Sequence, residues 1–205
     1  MNLLRAAPLL VTLTFALAPT PSPAADPGAT SEATALVETT LAEVLGVLRD
    51  TGLPDATRRS RVEEVIYARF DFATISRLVL ARNWSKLSPQ QRVEFVTELK
   101  RHLSLSYWKT LDDNRDSDPE VRGARAERNG DVTVRSEVEA ERTQPVRIDY
   151  RLRNGETGWR VIDVIIEGVS LVQNFRTQTQ ELIQDAGVEQ LIEKLREKNE
   201  ARGDG

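Results

Sequence analysis

Two residues in this chain combine reactive chemistry with apolar surroundings: His102, the single histidine, and Asp163, inside the run Trp159–Ile166. His102 falls within Lys100-Arg101-His102-Leu103, a stretch of helical spacing. No cysteine and no second histidine stand at ligand spacing, so no metal site is expected and a helix position, surface or partly buried, is the favoured reading. Asp163 could act as a general base with a raised pKa. It could equally accept from a backbone amide or an arginine, with Arg77, Arg82, Arg147, Arg151 and Arg153 as candidate partners. No nucleophile or second acid lies near it in sequence, so the structural role outweighs the catalytic one. Glu167, at the corner that follows, is read the same way. Asn174, Arg176 and Gln178 could touch a polar headgroup but suit a solvated helix face better. No glycine-rich loop opens a helix, and G-x-S-x-G is absent. The chain has no cysteine, which excludes disulfides, thiolate metal sites and a lipid-modified N-terminal cysteine. No catalytic set emerges.

The element that carries Asp163 is the centre of the chain. Trp159–Ile166 is β-branched and aromatic, which suits a strand. Val161, Asp163 and Ile165 are expected on one face, with Ile162, Val164 and Ile166 on the other. The unbroken Val164-Ile165-Ile166 points to cover on both faces near the strand's end. Gly168 permits a change of direction, and Ser170 suits a helix N-cap. Val172, Phe175, Thr179, Leu182, Ile183 and Ala186 then continue at helical spacing.

The N-terminus reads as a secretory signal. Met1–Arg5 carries one positive charge, Ala6–Ala18 is almost entirely apolar, and Pro19–Ala25 is rich in proline and small residues. Cleavage is expected after Ala24, or after Ala25, leaving 25–205 as a single domain. No other apolar run approaches the length of a membrane span. Losing Arg5 takes the net charge from -4 to about -5, which argues against general nucleic-acid binding. Export in soluble form out of the cytoplasm is the expectation.

Ahead of the strand region, the spacing predicts helices over Thr30–Asp50, Asp55–Arg69 and Phe72–Leu80. Asp71 is expected to cap the third. Ser88-Pro89-Gln90-Gln91 is a strong start for a fourth, reaching about Asp113. From Val121 the period turns to two. Strands are expected over 120–128, 132–140, 146–152 and 159–166, with turns at Asn129-Gly130 and Asn154-Gly155. A break at Gly187 separates the helix after Ser170 from a last one through Val188, Leu191, Ile192 and Leu195, and the end, Ala201–Gly205, is expected to fray. The fold class is α+β: N-terminal helices, a four-stranded twisted antiparallel sheet and C-terminal helices. Three apolar stripes and one sheet face must pack together, and they can make a dry core or enclose an apolar cavity. The candidate walls are Phe72, Ile75 and Val79, then Phe95, Leu99, Leu103 and Tyr107. From the sheet come Val134, Ile148, Tyr150 and Ile165, and from the corner Val169, Leu171 and Phe175.

The block I-D-V-I-I-E-G-V-S-L-V-Q-N-F-R at 162–176 resembles the signature of the MlaC family of periplasmic phospholipid-binding proteins, the toluene-tolerance auxiliary components. F-D-F-A-T-I-S-R-L-V-L-A-R-N-W (70–84), S-P-Q-Q-R-V-E-F (88–95), P-V-R-I-D-Y-R-L-R (145–153) and G-V-E-Q-L-I-E-K-L-R-E-K-N (187–199) match in the right order. Ala81 is a departure, since the family often has glycine there. The resemblance implies a lipid-filled α+β fold with no enzymatic activity and no cofactor, the bound phospholipid being cargo. It also implies a shuttle between an outer-membrane lipoprotein complex and the periplasmic substrate-binding subunit of an inner-membrane ABC transporter. Physics favours a carrier: at ~0.8 kcal/mol per methylene, exposing two acyl chains of about 30 methylenes costs on the order of 20 kcal/mol. Two rivals stand beside it, a pocket hydrolase or isomerase using Asp163 or His102, and a ligand-free periplasmic chaperone or adaptor.

Overall fold

A computed structural model describes residues 27–139 and 144–203. Ala24 and Ala25 at the expected cleavage site, Ala140 at the expected end of a strand, and residues 204–205 lie outside them.

Side-chain capping starts the third and fourth helices where the residue types suggest. After α1 (Pro27–Leu48) and α2 (Asp55–Arg69), Asp71 accepts from the Thr74 N–H at 2.8 Å and opens α3 (Phe72–Leu80). Ser88 and Gln91 form a complete capping box at the start of α4 (Pro89–Asp113). A 3₁₀ turn, Ala81–Lys86, separates α3 from α4. It is entered through Ala81 at φ 49, ψ -123, a conformation that suits glycine.

Five strands follow: β1 (Pro119–Ala126), β2 (Val132–Val138), β3 (Val146–Gly155), β4 (Gly158–Ile166) and β5 (Val169–Ser170). They pair antiparallel in sequence order. The short β5, hydrogen-bonded to β4 around Gly168, was not expected, because two residues carry no periodic signal. The β3–β4 turn also falls later than Asn154-Gly155 suggests. Asn154 still pairs with Trp159 and Gly155 with Gly158, whose φ of 83 closes the hairpin.

A bulge resets the central strand. Arg151 pairs with Asp163 but Leu152 pairs with Val161, which leaves Ile162 as an extra residue. Strict alternation therefore fails in β4: Val161 and Val164 share one apolar cluster, and Asp163 leaves the face of Val161. This corrects the face expected for that strand. α5 (Leu171–Gly203) closes the fold and turns at Gly187, where φ is 82 and ψ 174. Its last turns, Ala201–Gly203, remain helical where fraying was expected.

The core is divided. One cluster joins α3, α4 and α5 around Phe95, Leu99 and Leu191. A second seats Ala33 and Val37 of α1 on Val132, Val134 and Leu152 of the sheet. The third joins Val44 and Leu48 of α1 to Val62 of α2, with Trp108 and Leu111 of α4 against them. A hydrophobic interior is normally continuous within a domain. Here the three clusters surround a space.

Candidate functional site

That space is a cavity of about 280 Å³ whose walls come from all five helices and the sheet. α3 contributes Phe72, Ile75 and Val79, and α4 contributes Leu99, Leu103 and Tyr107. β3 adds Ile148 and Tyr150, and the start of α5 adds Leu171 and Phe175. These ten were candidates from their spacing. The other four do not line it. Phe95 is fully buried in the helical core, and Val134 is fully buried between α1 and the sheet. Ile165 falls on the wrong side of the bulged strand, and Val169 in β5 is 58% exposed. Wall and core side chains have the same chemistry, so periodicity alone could not separate them.

The walls also include residues that spacing did not single out. α1 supplies Leu41 and Val44, α2 supplies Val62, Ile66 and Tyr67, and Phe70 follows α2. Helices were expected there, but not that they face across a gap to α4. Trp108 and Leu111 complete the α4 side. Desolvation pushes the Tyr150 hydroxyl up to about 12, so this phenol stays protonated. Burial raises Tyr67 and Tyr107 in the same way.

Three charged side chains reach the wall: Glu63, Lys100 and Asp163. Asp163 is buried and fully engaged. Its Oδ2 accepts from the Ser170 hydroxyl at 2.6 Å, and its Oδ1 accepts from the Val172 N–H at 3.1 Å. Ser170 in turn accepts from the Gln173 N–H at 3.0 Å, the expected cap. The carboxylate thus sits at the positive end of α5, with Arg151 Nη1 at 3.9 Å. The other candidate arginines are not its partners: Arg153 pairs with Asp131 and Arg147 with Asp149, Arg77 donates to Thr74, and Arg82 is exposed. Glu63 accepts from Arg59 Nε at 3.0 Å and, in a short contact, from the Ser104 hydroxyl. Lys100 Nζ stands 3.5 Å from the centre of the Tyr67 ring.

The remaining polar candidates hold the fold. His102 is buried, with Nδ1 3.0 Å from Asn199 Oδ1, and Asn199 donates to the Glu98 carbonyl. Arg176 donates from Nε to the Leu78 carbonyl at 2.8 Å, closing the end of α3, and so is not part of a solvated face. Gln178 bonds Asn174 on the exposed side of α5. The Glu167 carboxylate accepts from the Arg147 N–H at the β4–β5 corner. Among the described residues no group of three or more His, Cys, Asp or Glu side chains could hold a metal ion. No helix there is long and apolar enough to cross a membrane.

An apolar chamber between helices and a sheet, with its two carboxylates tied to the frame, defines a container for an apolar ligand. The chain belongs to the MlaC protein family, whose sequence profile matches residues 38–197. A solved structure of a phospholipid-binding protein from Ralstonia solanacearum, in complex with a phospholipid, is similar to it. The two share 28% identity with a TM-score of 0.75, over 83% of this chain and 98% of that one. No curated protein sequence matches significantly.

Proposed function

We propose that this protein is a periplasmic phospholipid carrier. The observation that carries the reading is the apolar cavity, found in a fold that matches a phospholipid-bound protein along nearly its whole length. Acyl chains are the ligand for which such walls are worth building, since each methylene withdrawn from water contributes ~0.8 kcal/mol. The carrier moves between an outer-membrane lipoprotein complex and the substrate-binding subunit of an inner-membrane ABC transporter, after export directed by residues 1–24. The lipid is cargo, and no cofactor takes part. Asp163 supports binding over catalysis: both of its oxygens accept from the start of α5, which ties the carboxylate to the frame.

The test is extraction of the purified native protein with organic solvent, followed by mass spectrometry. Stoichiometric phospholipid is expected. A protein that yields none, prepared without lipid-stripping detergent, would sink the carrier reading.

A further inference from the structure

Of the three charged side chains in the cavity wall, two are neutralised by the frame. Asp163 holds Ser170, Val172 and, at longer range, Arg151. Glu63 is paired with Arg59 and bonded to Ser104. Lys100 differs. Among the described residues it has no carboxylate within ion-pair distance; its ammonium lies 3.5 Å from the Tyr67 ring centre and 5.9 Å from that of Phe72. Both aromatic rings belong to the same cavity wall. The attraction of a cation to ring faces is worth less than a charge-assisted bond to an anion.

The cluster Arg59, Glu63 and Lys100 therefore carries one net positive charge, on a chain whose overall charge is -4. It lies where α2 and α4 face each other across the cavity, and Lys100, Glu63 and Ser104 are all only partly buried there. We propose that Lys100 is the phosphate-binding residue of the lipid site. With acyl chains among the apolar walls, the phosphodiester comes to rest at the α2–α4 rim, where the Lys100 ammonium leaves Tyr67 to donate to its oxygens. This rests on the carrier reading and adds a specificity element to it: an anionic group at the glycerol end, beyond two chains.

Competitive loading tests it. Protein and its variants are incubated with vesicles containing equal phosphatidylglycerol and diacylglycerol of the same acyl chains, and the captured lipids are counted by mass spectrometry. Comparing proteins against one vesicle cancels the vesicle's own preference. The captured ratio of phosphatidylglycerol to diacylglycerol should fall about tenfold in Lys100→Met, the loss expected for a charge-assisted bond. Lys100→Arg should restore most of it. Lys100→Gln removes the charge in a second way, should methionine disturb the packing on Tyr67. Unchanged ratios in both uncharged variants, with both lipids captured, overturn the assignment of Lys100 while leaving the carrier intact. Capture of neither lipid by wild type overturns the carrier reading and the assignment with it. In a separate arm inorganic phosphate is titrated into lipid-loaded protein. Saturable phosphate binding by wild type and not by Lys100→Met, with the lipid retained and the captured ratio the same in both, would make the site one for free phosphate, and the headgroup assignment fails.

Discussion

Ala81 carries a backbone strain that a single hydrogen would relieve. At φ 49 and ψ -123 its Cβ crowds its own backbone, a conformation costing on the order of 1–3 kcal/mol for a residue other than glycine. Replacement by glycine also loosens the unfolded chain, which offsets part of the gain. Ala81→Gly should still stabilise the protein by about 1 kcal/mol, seen as a melting temperature about 2–4 °C higher. A melt that moves down would show that the alanine methyl makes packing contacts worth more than the strain. Asp163 is the other residue whose backbone setting explains it. Asp163→Asn keeps an acceptor for the Val172 N–H but turns a charge-assisted bond to Ser170 into a neutral one. Stability should fall by a few kcal/mol at most, with lipid transferred between vesicles unchanged per folded molecule. A general base would show the reverse, an intact melt and turnover reduced by ~10²-fold or more.

At the scale of elements, the last turns of α5 are clasped to α4 through His102, Asn199 and the Glu98 carbonyl. His102 also meets Phe175 edge to face at 5.6 Å, so one ring contacts both halves of α5 on either side of the Gly187 turn. Burial holds the imidazole below its ordinary value, and Arg202 and Lys198 push it the same way, against the hydrogen bond with Asn199. Protonation then favours the unfolded chain. The stabilising contribution is complete above the ordinary imidazole value of about 6.5 and is lost as pH falls from there through the lowered folded value. Between about pH 7.5 and about pH 5.5, the wild-type melting temperature should drop more than that of His102→Gln, which has nothing to titrate there. Equal drops would mean that the carboxylates alone set the acid sensitivity.

Across the whole molecule, the division of the core is what creates the site. α1 covers the sheet with Ala33 and Val37 and then reaches α2 with Val44 and Leu48, so one helix belongs to two clusters. α4 does the same, buried with α5 at Phe95 and Leu99 and against α2 at Trp108 and Leu111. Each long helix is anchored at both ends and spans a gap in between. At the sheet end beside the gap, the bulged β4 and the short β5 lead into α5, with Asp163 bonded across the corner. Filling the gap calls for a ligand of similar apolarity, the occupant proposed above.

Local chemistry made much of this legible without coordinates. The Asp71 and Ser88 caps, the Asp55–Arg69 and Phe72–Leu80 helices and the start of α5 at Ser170 depend on residues within one turn of each other. The family block at 162–176 is likewise contiguous in the chain. The β4 bulge could be seen only as a broken alternation at Val164-Ile165-Ile166, because a register shift is a property of two strands. Which apolar residues form wall and which form core was not written in the sequence at all. Phe95 and Leu103 sit eight residues apart on the same stripe of α4, yet one is fully buried and the other faces the cavity. Periodicity reports the face of a helix, and only the packing of its neighbours decides whether that face meets atoms or a space.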